Sequence, residues 1–417
     1  MRYFLSSIFK SSQVPKEYRA NFIHLYLDIG WFGLLSGSAV NFINVYATRL
    51  GATGFQIGLI GAVSAIVSLF VAIPAGRWIE KRHTGRAVFW AAFVYRIGFF
   101  LWILLPWLFN PQGQIWALIT LTFLMAIPLT PLAVGFSALF AESVPPDWRA
   151  HVAAMRNIVL SIVFMASSLL SGYILKSVIF PVGYQIVFGI GALGAAMSTL
   201  HLFFIRPLQT ESPALPTQPE FDPDKQSISP LQSLRLDIWK TRFRNVLLAL
   251  FAFHFTQYLA IPIFPIYNVR VLELNDNHIG IGTALFYLTV LLGSTQLGKL
   301  VHKFGHKNIT GWSVASMAAY PLILAASTHV WQFYVVSLIG GLSFSLVSGT
   351  YANYMLENIP ANDRPTHLAW YNIILNAAIL IGSLAGPAVA DWIGLSQALV
   401  IFAALRFLAG WAILKWG

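Results

Sequence analysis

Asp28 lies in IHLYLDIGWFGLL and Arg96 in FVYRIGFFLW, each a lone charge with apolar neighbours on both sides. Two kinds of chemistry are open to such a pair. The charges can hold each other as an ion pair, or the carboxylate can take up and release a proton as its surroundings change. Asp28 stands about eight residues into its apolar run and Arg96 about nine into its own, counted from the same side. At a rise of about 1.5 Å per residue the two depths agree within a few ångströms. An ion pair is therefore predicted, and both roles stay open: a fixed structural pair, or Asp28 as a titratable coupling site. Arg406 is a further charge inside a run and has no matching acid in its half of the chain. It is left to reach an interface or to meet backbone carbonyls.

A second set of charges recurs at fixed steps. ESVPPDWRAHVAAMRN places Glu142, Pro145, Arg149 and Asn157 at the same spacings as Glu357, Pro360, Arg364 and Asn372 in ENIPANDRPTHLAWYN. Two basic loops also correspond, GRWIEKRHTGR at 76–86 and GKLVHKFGHK at 298–307. A carboxylate in such a loop can sit at the amino end of a neighbouring helix, where the macrodipole and free N–H groups favour negative charge. A glycine there permits a tight turn or a close helix approach.

The elements that must carry these residues are set by composition. Of 417 residues, 57% are hydrophobic and 10% are charged, against about 25% charged in soluble chains. So little polar material cannot coat a water-exposed surface. A bilayer core calls for roughly 20 apolar residues per helix. Twelve such runs occur, near 20–47, 56–75, 87–108, 115–140, 151–175, 184–205, 244–270, 279–298, 309–327, 331–355, 367–388 and 396–415. An all-α membrane protein with twelve transmembrane helices is predicted. The net charge of +11 does not signal nucleic acid, because its placement follows topology. Arg49, Lys176 and Arg270 fall on one side, Arg96 and Arg406 within runs, and the rest of the 26 basic residues on or near the other side. This positive-inside bias predicts cytoplasmic termini and a multi-pass protein of the cytoplasmic (inner) membrane, in contact with its lipids.

The two halves repeat at a period near 220. Tyr46, Arg49, Gly58 and Gly76 recur as Tyr267, Arg270, Gly280 and Gly298, the last two glycines being 18 apart in both halves. Two parallel six-helix bundles around a central cavity follow, at 21–206 and 241–417. Residues 207–240 join them as a cytoplasmic proline-rich linker, since 207–234 hold six prolines and no long apolar run. Residues 1–20 read as an amphipathic cytoplasmic lead-in without a cleavage site. Cysteine is absent, which excludes disulfides and thiolate metal sites. No metal or other cofactor is expected. The sequon at Asn308 falls on the predicted cytoplasmic side.

Six plus six helices, a long central loop and a glycine-framed basic loop after the second run resemble the major facilitator superfamily. Its signature G-x-L-a-D-R-x-G-R-K is matched by Gly76, Glu80, Arg82, Gly85 and Arg86, and more weakly by Gly298, Leu300, Gly305 and Lys307. The first copy is two residues longer than usual and has Glu80 for the aspartate; the second has His302 there. The resemblance implies that Glu80 meets the segment near 366–368 when the cytoplasmic side is shut, with Arg86 and Arg149 in the same cluster. Glu142, Glu357 and Arg364 would form matching clusters, with Gly76 and Gly298 at the gate. It also implies that spans 1, 4, 7 and 10 line the cavity. On these lie Asn41 and Asn44, three apart on one helix face; His254, Gln257 and Tyr258; and Ser345. These are the candidate substrate-binding residues, each also able to serve as helix–helix glue.

A monomeric secondary transporter of a small organic solute, working by alternating access with proton coupling, is the function so implied. With aromatics at 15% and few cavity acids, a neutral or amphipathic solute fits better than a polyanion. A lipid or amphiphile flippase on the same fold is the alternative, and a transporter-like sensor comes next. An enzyme is disfavoured, for HExxH, GxSxG, paired intramembrane aspartates and Cys/His metal spacings are all missing.

Overall fold

The computed structural model describes residues 16–208, 235–360 and 363–417. The lead-in up to residue 15 and most of the linker lie outside them. All secondary structure in the described residues is helical. Ten helices are long and apolar enough to cross a membrane. One of these, Asp276–Ala325, is two spans run together, separated where Gly305 takes φ +77° and ψ 161°, a left-handed geometry that glycine adopts without strain. The first run is Lys16–Leu35, a π-helical turn Ser36–Val40 and Asn41–Arg49. It is less apolar than the others because it carries Asp28, Ser36, Ser38, Asn41 and Asn44. With these two adjustments the count is twelve.

Spans 2 to 6 are Gly54–Glu80, Thr84–Leu108, Pro111–Ser143, Pro146–Ser177 and Val182–Phe204. Span 7 is Phe243–Ala260 continued by Ile263–Arg270, broken at Pro262, which has no N–H to donate. Spans 8 and 9 share the merged helix, span 9 ending in Ala319–Ala325. Spans 10 to 12 are Val330–Glu357, Arg364–Ile393 and Leu395–Trp416. Several spans starting at the end away from the basic loops are capped. Thr53 and Gln56 form a reciprocal capping box, and Asn110 and Asn275 accept from Gly113 and His278.

The repeat seen in sequence is also a repeat of contacts. Span 1 packs on 5 and 6, 2 on 4, and 3 on 4 and 6; correspondingly 7 packs on 11 and 12, 8 on 10, and 9 on 10 and 12. Adding six to each pair in the first bundle generates the second, as a parallel repeat requires. The bundles meet along two seams that obey the same rule, span 5 on 8 and span 2 on 11. Phe70, Trp107 and Trp392 face outward, as a surface solvated by lipid demands. Trp107, Trp116, Trp331 and Trp392 all stand exposed at span ends away from the basic loops, the position of an interfacial aromatic belt.

Small residues set how closely these helices approach. A Cβ on Gly341 in span 10 would come 2.1 Å from the Phe286 carbonyl oxygen of span 8, whereas one on Gly76 would meet nothing within 4 Å. Gly341→Val should therefore cost on the order of 1–3 kcal/mol or more through overpacking, and Gly76→Val should be tolerated. Thermal unfolding of the two purified variants checks this, and equal melting temperatures would contradict the packing described.

Candidate functional site

In the first bundle a single buried acid organises four spans. Asp28 of span 1 has Oδ2 3.2 Å from Arg156 Nη1 of span 5. Its Oδ1 accepts from Ser198 of span 6 at 2.5 Å and lies 3.9 Å from Arg96 Nη2 of span 3. Arg96 donates to Thr199 at 3.1 Å, and Arg156 to the Leu25 carbonyl at 2.8 Å. The Arg156 guanidinium also stacks over Phe136 of span 4, 4.6 Å from the ring centroid. The predicted Asp28–Arg96 pair thus exists, but it is the longer of two. The closer partner is Arg156, which sequence reasoning grouped with the basic loops. The span starts at Pro146, earlier than the apolar run suggests, so Arg156 is already about three turns inside it.

Among the described residues the second bundle has no equivalent acid. Arg406 of span 12 is 2% exposed. Its Nη2 donates to the Thr256 and Gln257 carbonyls of span 7 at 2.9 and 3.2 Å, and Nη1 lies 3.5 Å from the Met317 carbonyl of span 9. Met317 would normally pair with the N–H four residues on, which is Pro321 and has none. Of the two routes open to Arg406, the structure shows the carbonyl one. Arg406 and Gln257 line a cavity of about 230 Å3, together with Phe264, Phe286, Tyr320 and Phe344.

The candidate binding residues do not all converge. Gln257 faces this cavity, and His254 lies a turn away, its Nε2 3.0 Å from the Tyr371 hydroxyl and its ring edge-on to Tyr351. Tyr258 lies mostly buried nearby, its side chain close to the Gly382 backbone of span 11. Asn41 instead donates to Ser168 at 3.2 Å, and Ser168 to the Gly280 carbonyl at 3.3 Å, so it belongs to the seam between bundles. Asn44 has a buried Oδ1 with no partner among the described residues. Ser345 bonds its own helix at Leu342 and packs on Gly293 of span 8. It faces a helix seam and does not line the described cavity.

Between the bundles, polar contacts gather at one end. Arg49 reaches across to Asp276 at 3.1 Å and to the Leu274 carbonyl at 2.6 Å; Arg270 reaches back to the Ala52 carbonyl at 2.5 Å. These two arginines were singled out in the sequence only as markers of the repeat. Their identical spacing from Tyr46 and Tyr267 was the available signal. Beside them Gly172 and Gly280 pack backbone to backbone, and farther along the seam Phe164 stacks on Tyr287 at 4.0 Å.

At the opposite, basic end the predicted clusters are rearranged. Among the described residues Glu80, Arg86 and Arg364 are exposed and make no hydrogen bond or ion pair; the Glu80 contact with 366–368 is not made in this conformation. Arg149 is not in a charge cluster: it caps span 4 by donating to the Ala141 and Val144 carbonyls. Glu142 accepts from Thr84 at 2.9 Å, and Glu357 takes His306 at 2.6 Å in place of Arg364. Gly76 and Gly298 make neither a tight turn nor a close approach, since a Cβ on either meets nothing within 4 Å. The last residues before span 7 are pinned to span 11. Arg235 bridges Asp237 and Asp363 at 2.9 Å each, and its hydrogen bonds hold the Asp237 carboxyl below the usual carboxylate range.

Removing the Asp28 charge leaves two buried guanidinium groups without a counter-ion. Asp28→Asn should destabilise by about 3–5 kcal/mol. Arg156→Gln added to it should restore more stability than Arg96→Gln, because the shorter bond goes to Arg156. Thermal unfolding of the three variants in detergent checks the order, and equal rescue would contradict it.

The profile of the Major Facilitator Superfamily matches residues 29–275 and 246–416. The Staphyloferrin B transporter of Staphylococcus aureus (strain NCTC 8325 / PS 47) is 28% identical over 175 residues, 41% of this chain and 42% of that one. The alignment therefore covers less than half of that relative. The Cis,cis-muconate transport protein of Acinetobacter baylyi (strain ATCC 33305 / BD413 / ADP1) is 25% identical over 298 residues, 70% and 69% of the two chains. Among solved structures, a mutant of the nucleoside transporter NupG superposes with a TM-score of 0.72 at 14% identity, covering 95% and 99%. The POT family transporter PepTSo gives 0.70 at 14%, covering 96% and 98%. At such identities the likeness concerns the fold. With the family profile matched from residue 29 to residue 416, in a chain whose second bundle repeats the helix pairing of its first, this protein belongs to the Major Facilitator Superfamily.

Proposed function

We propose that the chain is a secondary transporter that carries a small organic solute across the cytoplasmic membrane by alternating access, and that this structure is its inward-open state. One observation carries the reading. The polar contacts between bundles, those of Arg49, Arg270 and Ser168, lie toward the end away from the basic loops, while Gly76 and Gly298 stand clear. Two bundles tied at one end have a second arrangement available, in which that end parts and the basic end closes. The exposed Glu80 and the open glycine faces are then surfaces waiting for a partner. Relatives named as transporters of Staphyloferrin B and of cis,cis-muconate support a transported organic solute.

On the same reading the coupling proton belongs at Asp28. All its partners lie within one bundle, so rigid rocking alone would leave the cluster intact. Span 1 has a local hinge at Ser36–Val40, and π turns of this kind often sit at functional sites. A register change there would alter the depth of Asp28 against Arg156 and Ser198, and with it the affinity for a proton.

The chain has no cysteine, so single cysteines report accessibility cleanly. Arg49→Gln removes an inter-bundle ion pair worth roughly 1 kcal/mol. It should raise maleimide labelling of Ser168→Cys several-fold and lower that of Gly76→Cys, a population shift of the size such a pair can produce. Unchanged labelling at both positions would contradict alternating access. For coupling, Asp28→Asn/Arg156→Gln should exchange, yet fail to accumulate, the solute that a thermal-shift screen of pure protein identifies. Accumulation driven by a pH gradient in that variant would remove Asp28 from the role.

A further inference from the structure

The buried arginines of the two bundles are partnered in different ways, those of the first by a shared carboxylate and that of the second by none among the described residues. In the first, Arg96 and Arg156 face Asp28. In the second, Arg406 is as deeply buried and meets only carbonyl oxygens. Among the described residues no carboxylate lies within ion-pair distance of it, and its Nε–H is buried without any partner. Carbonyl dipoles hold and orient a guanidinium but do not cancel its charge, and a buried charge without a counter-ion is costly. Arg406 also lines the cavity of about 230 Å3 whose walls include Gln257, Phe264, Phe286, Tyr320 and Phe344. Phe264 and Tyr320 meet at 4.8 Å, and Phe286 and Phe344 at 5.6 Å, as tilted pairs.

We infer that Arg406 is the anchor for the negative end of the solute, and that the solute is a compact organic acid, its carboxylate on the Arg406 guanidinium and its apolar body among the four aromatic rings. This rests on the transporter reading and narrows its substrate from an amphipathic solute to an organic anion. The counter-ion missing from the second bundle is one that arrives and leaves. Gln257, at the same cavity, has an amide able to donate to the second carboxylate oxygen. The fixed carbonyl contacts of Thr256, Gln257 and Met317 hold the guanidinium in place while the site is empty, so binding spends little on ordering it.

The test compares matched acids and amides on the purified full chain in a neutral detergent and a chloride-free buffer. Benzoate, phenylacetate and hexanoate should each stabilise the protein against heat with an apparent affinity roughly tenfold or more above benzamide, phenylacetamide and hexanamide, the margin expected of a hydrogen-bonded charge. Arg406→Gln should erase that preference and Arg406→Lys should keep part of it. Should Arg406→Gln fail to fold, Phe344→Trp, which fills the same cavity and leaves the guanidinium alone, should still weaken carboxylate binding several-fold. Equal stabilisation by acids and amides, a preference that survives Arg406→Gln, or chloride as effective as benzoate would each overturn the proposal. If it is overturned while labelling at positions 76 and 168 still responds to Arg49→Gln, the transporter reading stands without it. If that labelling is inert, the transporter reading fails, whatever binds.

Discussion

Arg49 and Arg270, one from each half of an internal repeat, reach across to the opposite bundle at the same end of the molecule. Much of what distinguishes this conformation depends on that reciprocal contact. It is not fully symmetric. Arg49 finds a carboxylate, Asp276, whose counterpart in the first half is Gly54, so Arg270 has only the Ala52 carbonyl. Among the described residues this contact amounts to one ion pair and a few side-chain hydrogen bonds to backbone carbonyls, with glycines that let spans 5 and 8 touch. Within each bundle the packing is far less negotiable, as the contact of Gly341 with the Phe286 carbonyl illustrates.

Charge at depth is the second constraint, and the two bundles meet it differently. A guanidinium inside a membrane protein needs a carboxylate, a set of carbonyls or a water-filled cavity. Arg156 has the first in Asp28 and Arg406 has the second, from the carbonyls of Thr256, Gln257 and Met317. In the first bundle one carboxylate is shared by two guanidinium groups, in a cluster that joins spans 1, 3, 5 and 6. In the second, Arg406 has no carboxylate partner among the described residues and lies beside an aromatic cavity.

Much of this was legible in the sequence, for reasons that can be named. Apolar runs long enough to span lipid gave the helices. The Glu–Pro–Arg–Asn spacing and the Tyr–Arg pairs gave the repeat. Asp28 stood out because an acid in an apolar run demands an explanation. What could not be read were directions and partners. A lipid-exposed helix is apolar on every side, so the 3.6-residue periodicity that tells inside from outside in a soluble helix is faint. Ser345 therefore looked equally suited to a cavity and to the seam with Gly293 that it occupies. Apolar runs also mark the helix core and miss its polar first turns, which hid the depth of Arg156. Glu357 choosing His306 over Arg364, and Arg149 choosing carbonyls, are decisions of loop geometry with no signature in spacing. Nor did the spacing of Glu80 say that it would stand exposed and away from 366–368.

The most direct test of the central claim measures both ends of the molecule at once. Spin labels on cysteines replacing Lys81 and Lys303, exposed at the basic end of the two bundles, and in a second variant Gln112 and His329, exposed at the other end, report two distances by double electron–electron resonance. The account predicts two populations for each pair that trade in opposite senses. When Arg49→Gln and Arg270→Gln are introduced together, the 81–303 distance should shift toward its shorter population and the 112–329 distance toward its longer one. A single unaltered distance at either end, or two that lengthen together, would contradict a pair of bundles that rock against each other.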